Sequence, residues 1–268
     1  MCKRHNSTKF ETIQKPMNTE LELRTALPDP TLSEFVGSFW MLVNNSDKDR
    51  ELAVLPDGRV DVLFSYSSKE PFDAMLMDLD RHSSQTIFAS TATIFAVSFK
   101  LLAVEYILET SIADQKNHPL VLPDNFWDIG IDDLNDFDRF IKKISEKIHQ
   151  ILKEKKIDDK KRKLFEHIYA SDGSLTVKEL ADKSFWSSRQ INRYFNQYIG
   201  ISLKEYCNIL RFKASWPQIK EGKFFPEQNF TDQAHFIKTV KKHSGLTPKG
   251  LNKNENDRFI QFLDLPKK

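Results

Sequence analysis

From Ser187 to Gly200 the chain reads Ser-Ser-Arg-Gln-Ile-Asn-Arg-Tyr-Phe-Asn-Gln-Tyr-Ile-Gly. On a helix, at about 100° per residue, Arg189, Asn192, Arg193 and Asn196 share one arc. Ile191, Tyr194, Phe195 and Tyr198 fall on the opposite arc. Arginine and asparagine are the side chains that read base edges, arginine by paired bonds to guanine and asparagine by paired bonds to adenine. An aromatic back would anchor such a rod while its polar front stayed free for a duplex. The plainer alternative is an amphipathic helix whose polar face is merely solvated.

The flanking residues supply what such a rod needs. Thr176 is placed to cap a first helix, and Glu179 three residues on completes a capping box. Leu180 and Ala181 give that helix a small apolar seam, on which a second helix can approach closely. Ser184-Phe185-Trp186 is a short turn, Ser187 caps the second helix, and Gly200 stops it. The spacing thus predicts helix, turn, helix. A further helix is predicted from Thr231, as its cap, to Gly245. Phe236 and Val240 point one way along it; Ala234, Lys238, Lys241 and Lys242 point the other. Lysine is a point charge suited to phosphate, so this helix reads as a backbone clamp. Thr247-Pro248 is an N-cap and first-turn pair for a final short helix.

These two runs resemble the C-terminal DNA-binding domain of AraC/XylS-type transcriptional regulators, over roughly residues 160–251. The Ser187–Phe195 run is similar to that family's first recognition helix. Phe230–Phe236, followed by Gly245-Leu246-Thr247-Pro248, is similar to its late signature. The resemblance implies a double helix-turn-helix that binds double-stranded DNA, with Arg189, Asn192 and Arg193 in base- and phosphate-contacting positions of the first unit; Ser188, Gln190 and Asn196 of the same helix complete the expected DNA-binding set. In the second unit it implies Gln233, Ala234, Ile237 and Lys238 on the matching face, to which the lysine pattern adds Lys241 and Lys242 as phosphate contacts. The chain departs from the pattern between Ala214 and Asn229, which is too short for the usual positioning helix, so Phe224–Gln228 stands where that helix belongs. Asn229 stands where the family has glycine. Pro217 interrupts the connecting helix expected from Ser202 to Trp216, and an interior proline costs a helix about 3 kcal/mol. That connecting helix would span about 22 Å, against roughly 34 Å between successive major grooves on one DNA face.

Composition frames these motifs. A chain of 268 residues is long enough for two cores. Net charge is +2, yet residues 160–251 hold 17 Lys/Arg against 8 Asp/Glu, while the remainder holds 23 against 30. A basic module on an acidic body fits a polyanionic partner. The two cysteines, Cys2 and Cys207, cannot form a disulfide framework; Cys207 is expected as a small buried group on the connecting helix. No run nears 18 apolar residues and no signal peptide is evident, so a cytoplasmic protein without a membrane span is expected.

The first half alternates in the manner of strands. Phe39–Val43, Glu51–Leu55, Val60–Tyr66, Ile87–Ala92 and Ile94–Phe99 are predicted strands, with Pro56-Asp57-Gly58 as a turn. Asp57 and Asp61 read as a turn stabiliser and an exposed strand face. A small barrel or sandwich is expected. Trp40, the run Leu55–Phe64 and Val97–Lys100 resemble the uncharacterised, cupin-like N-terminal domain found ahead of some AraC-type DNA-binding domains, over about residues 30–130. That resemblance implies a ligand-sensing or dimerising role.

Leu134, Phe137, Ile141, Ile144, Ile148 and Ile151 form a heptad seam that either lies on the chain's own sheet or meets a second copy. Asp132 and Asp133 sit at its expected start. Lys153–Lys163 reads as a charged linker that adds phosphate attraction, and Phe259, Ile260, Phe262 and Leu263 as a cluster that folds back.

The expected architecture is α+β in two domains: a β-rich barrel or sandwich and an all-α double helix-turn-helix. Residues 1–25 are expected to be disordered or weakly ordered. Residues 26–152 form the β-rich body with its closing helix, 153–163 the linker, 164–251 the DNA-binding domain and 252–268 a tail. No catalytic constellation, metal-ligand spacing or phosphate loop occurs around His82, His118 or the aspartates, so neither enzyme nor cofactor is expected. A small-molecule effector and a homodimer are the other partners considered. The rival readings are a protein-interaction module whose second unit has decayed and a hydrolase or sugar-modifying enzyme in the body.

Overall fold

The computed structural model describes residues 12–18 (backbone only), 20–113, 118–227, 230–254, 259 and 261. The first half is an antiparallel sheet built from β1 (Thr12–Asn18), β2 (Leu21–Ala26), β3 (Val36–Asn44), β5 (Val60–Tyr66), β6 (Asp73–Leu76), β8 (Thr93–Phe99) and β9 (Leu120–Val121). The strand order is β1-β2-β3-β8-β5-β6-β9. A two-stranded ribbon, β4 (Arg50–Val54) with β7 (Ser84–Phe88), completes it. β1 and β2 correct the expectation of weak order for residues 12–18 and 20–25, while residues 1–11 lie outside the described residues. Thr12 to Asn18 pair along Leu21 to Ala26, and β2 pairs in turn with β3. Leu21 and Leu23 are buried, and apolar burial outweighs the polar composition of the segment.

Period two sorts the side chains between two faces. Phe39 and Met41 of β3, Val60, Val62 and Phe64 of β5, and Phe95, Val97 and Phe99 of β8 pack on one face. Leu42 with Trp40 and Ile94 packs on the other, against Leu52 and Phe88 of the ribbon. The first face is covered by α2 (Phe137–Lys153). Phe95 meets Phe137 and Phe140 edge-on at 5.5 and 5.4 Å, and Phe64 meets Phe140 at 5.7 Å. This settles the heptad seam. Leu134, Phe137, Ile141, Ile144 and Ile148 are all buried inside the chain, with Ile151 half-buried, so the seam is not available to a second copy. The N-cap of α2 is Asp136, whose side chain accepts from Arg139 N–H, rather than Asp132 or Asp133. Asp133 is buried and paired with Lys143 at 2.7 Å.

After α1 (Leu102–Tyr106), the second half is helical. It comprises α3 (Asp159–Ala170), α4 (Val177–Ser184), α5 (Ser188–Tyr198), α6 (Leu203–Ala214), α7 (Trp216–Lys220), α8 (Gln233–Ser244) and α9 (Pro248–Lys253). The connecting helix ends at Ala214, and Pro217 opens the separate α7 in its first turn, where a missing N–H costs nothing. Leu164, Phe165, Ile168, Leu180, Ile191, Phe195 and Tyr206 share one core with the sheet. Phe212, Trp216, Ile219, Phe236, Val240 and Leu251 form another that takes in Ala53 and Leu55. Phe259 folds back into this second core as expected and bridges Ala53. Ile260, Phe262 and Leu263 lie outside the described residues, as do Cys2, Gln228 and Asn229. Cys207 is buried, and burial pushes its thiol up to about 12.

The halves meet across polar contacts that the sequence pattern did not reveal. Leu101 N–H donates to the Tyr169 hydroxyl at 3.0 Å, which donates to Tyr206 at 2.9 Å, which donates to Gly58 O at 2.8 Å. Gly58 has φ +78°, which is why the turn takes glycine, and a Cβ there would stand 2.7 Å from Leu210 Cδ2, whose side chain would have to shift. Asp57 does stabilise its turn, accepting from Arg59 N–H, but it also pairs with Arg59 and with Lys213 of α6 at 3.5 and 3.2 Å. Burial would raise its carboxyl; the two cations hold it below the ordinary value. Asp61 is half-buried rather than exposed and accepts from Ser98 Oγ. Burial, with the Asp57 charge beside it, lifts Asp61 to about 7.

Truncating the aliphatic wall of α2 by Ile144→Ala should cost about 2–5 kcal/mol in urea unfolding and leave the sedimentation coefficient of the folded protein unchanged. Asp61 binds its proton more tightly folded than unfolded. Its contribution is therefore full below the unfolded value near 4 and falls as pH rises toward about 7. Asp61→Asn should remove that descending limb from a plot of unfolding free energy against pH.

Candidate nucleic-acid interface

α4 and α5 form the expected first unit, each opened by a reciprocal cap. Glu179 N–H donates to Thr176 Oγ1 at 3.2 Å, and Thr176 N–H donates to the Glu179 carboxylate at 2.8 Å. Gln190 N–H donates to Ser187 Oγ at 3.3 Å, and Ser187 N–H and Oγ–H donate to Gln190 Oε1 at 3.2 and 2.7 Å. Between the two, Phe185 takes a left-handed conformation, φ 54°, with its ring 71% exposed under the Lys163 ammonium.

Helix α5 divides as its wheel predicts. Ile191, Tyr194 and Phe195 are buried against Phe165 and Tyr206, and Tyr198 is half-buried. Arg189, Arg193 and Asn196 are exposed. With Gln190, Asn192 and Gln197 they line a shallow open groove. Among the described residues neither arginine is paired with a carboxylate. Two of the expected readers are otherwise engaged. Asn192 Nδ2 donates to Ser188 O at 3.0 Å, so its amide lies along its own helix, and Ser188 is half-buried. Gln190 is exposed, but its carbonyl oxygen serves the cap. Side-chain to backbone bonds of this local kind form within one turn and are invisible to a helical wheel.

In the second unit Gln233, Lys238, Lys241 and Lys242 are exposed on α8, opposite buried Phe236 and Val240. The cap is Asp232, accepting from His235 N–H at 2.8 Å, rather than Thr231. The helix ends as expected on left-handed Gly245. The preceding helix is only the five-residue α7, and Phe225 is 69% exposed.

The charged linker is also corrected in part. Asp159–Lys163 belong to α3, and Lys161 is only 16% exposed. Its ammonium donates to Glu105 at 2.6 and 2.8 Å and stands 4.8 Å from the Tyr194 ring centroid. Burial disfavours that ammonium, yet the Glu105 bonds outweigh burial and hold its pKa above the ordinary value. One lysine that sequence alone assigns to solvent, Lys161, therefore fastens the back of α5 to α1.

Residues 24–120 match the family model Domain of unknown function (DUF6597). No curated protein matches the chain. Among solved structures, ToxT from Vibrio cholerae is similar. A 1.65 Å structure has 13% identity and a TM-score of 0.40, covering 87% of this chain and 98% of that one. ToxT from strain O395 has 14% identity and a TM-score of 0.39, covering 88% and 98%. A further ToxT structure, bound to a methylnaphthalenyl butenoic acid, has 13% identity and a TM-score of 0.39, covering 87% and 98%.

Removing the reciprocal cap by Ser187→Ala should cost about 0.5–2 kcal/mol of stability, read as a lower midpoint in thermal unfolding followed by circular dichroism.

Proposed function

We propose that the chain is a DNA-binding transcriptional regulator of AraC type. α5 enters the major groove, with Arg189 and Arg193 as its base readers and Asn196 beside them. Lys238, Lys241 and Lys242 of α8 hold the neighbouring phosphates. The observation that carries this reading is the exposed Arg189–Arg193–Asn196 face on a helix whose opposite face is buried. The excess of cations over residues 160–251 supports it, as do the two motifs in their order. On this reading residues 164–251 are the DNA-binding domain, and residues 26–152 are a sensing body for a small-molecule effector. A second copy, if present, meets the chain elsewhere than along α2. The sheet face toward α2 is filled by Phe39, Val60, Val62, Phe64 and Phe99, each fully buried. A hydrolase would need a polar cavity there.

A second reading, a protein-interaction module, is favoured by one observation: the exposed Phe225 where the second unit should begin. Selection of bound duplexes from a random pool with the full chain separates the two. Enrichment of a sequence supports the regulator; recovery of unselected duplexes supports the module.

On a selected duplex, Arg189→Ala should cost about 1–3 kcal/mol and relax preference at one base pair. Lys241→Ala should weaken all sequences alike and lower the slope of log K against log salt by about one. Uniform loss across sequences for Arg189→Ala would remove it from the role of reader.

A further inference from the structure

The last carbonyls of a helix lack intrahelical donors. In α8 those carbonyls are met largely from the β-rich half. Lys241 O accepts from Gly245 N–H. Lys242 O accepts from the His82 ring at 2.8 Å, His243 O from Ser83 N–H at 2.7 Å, and Ser244 O from Ser83 Oγ at 3.1 Å. The His243 ring, fully buried against Phe212, returns a bond from Nδ1 to Arg81 O at 2.7 Å. All the partners from the β-rich half come from one short stretch, Arg81 to Ser83, between β6 and β7.

The same stretch reaches the first unit. Arg81 Nη2 donates to Gly200 O, just past α5, at 3.2 Å. Beside it, Ile112 N–H donates to Tyr198 O at 2.9 Å and Ser111 Oγ to Gln197 O at 2.9 Å. Gly200 lies so close to Ala113 that a Cβ would stand 2.8 Å from its Cα. Both helices therefore end on donors of the β-rich half, which also complement the negative end of each helix dipole. Arg81 touches both, through its guanidinium to one and through its carbonyl to the other.

Resting on the reading of α5 and α8 as DNA-contacting helices, we propose that Arg81, His82 and Ser83 are positioning residues that set the separation and orientation of the two units. They take the place of the positioning helix that the shortened Ala214–Asn229 segment does not provide. α7 is five residues long, and α6, at 12 residues, spans about 18 Å, short of a groove repeat. Within the helical half α8 is packed on Phe212 of α6 and on Trp216 and Ile219 of α7; the Arg81–Ser83 bonds add the tie from outside that half that also reaches the end of α5. The loop is anchored for this by Leu79, which is buried in the main core.

The test uses full-length Ser83→Ala, which removes only a hydroxyl, and Arg81→Met. Three duplexes are compared: one carries the whole site selected by the wild type, and a second is cut to the half contacted by α5. A third carries the whole site with one base pair inserted between the halves. The expected result is roughly ten-fold weaker binding of the whole site by Arg81→Met, a smaller loss in the same direction for Ser83→Ala, unchanged binding of the half site, and greater tolerance of the inserted base pair than in the wild type. In DNA-free protein, amide exchange at Ser83 should accelerate in Arg81→Met. Equal losses on whole and half sites would mean general destabilisation and overturn the proposal; so would unchanged binding of every duplex. If the wild type selects no duplex, the DNA reading falls and the positioning role with it. The exchange rate still decides separately whether the Arg81 guanidinium, through Gly200 O, holds the loop in place for the Ser83 bond to α8.

Discussion

The burial of one face of α5 is the constraint on which the rest of the structure depends. Ile191 and Phe195 are fully buried, Tyr194 nearly so, in the core that also holds Phe165 and Tyr206. Removing such side chains from water is the dominant favourable term, and an α-helix is rigid enough to convert it into orientation. With three residues of one arc fixed, Arg189, Arg193 and Asn196 have no direction but outward. The backbone that carries these groups is ordered by the packing behind it, so only their side-chain rotamers remain free.

That orientation is transmitted from outside the helical half. Tyr206 packs behind Phe195 and donates to Gly58 on the β5 side of the junction. Tyr194 is covered by Lys161, which Glu105 of α1 holds. The back of α5 is thus a meeting point for α1, α3, α6 and the turn at Gly58. Sheet and helices share one apolar core and are joined by packing, hydrogen bonds and ion pairs. The charged groups at the junction are partnered, as buried charges must be: Asp57 by Arg59 and Lys213, and Lys161 by Glu105.

The two helical units differ in how they were made legible. In the first, Thr176/Glu179 and Ser187 sit at spacings that local bonding rules fix, and the structure builds both caps there. In the second, Phe236, Val240 and Gly245 were legible from periodicity and from glycine's freedom at positive φ, whereas its N-cap lay one residue later, at Asp232. Asn192 looked like a reader because a wheel assigns a direction to a Cβ and not to an amide; the bond to Ser188 O turns it along the helix. The heptad seam of α2 was equally legible, but its partner was not. An apolar stripe specifies that something covers it, and here the Phe95 and Phe64 rings do.

The sequence by itself therefore determined what depends on neighbours within about one turn or one strand: strand alternation in β3, β5 and β8, the caps and stop of α5, the exposed lysines of α8, and the split of charge between the halves. Tertiary structure alone decided what depends on partners far along the chain. It placed residues 12–18 in the sheet, turned Asp57 and Asp61 into junction groups, buried Lys161, and set Arg81 between Gly200 and His243. The reason is physical. Local hydrogen bonds and periodicity are written in consecutive residues, while burial, ion pairing and the capping of a helix end from another element depend on which distant surfaces the folded chain brings together.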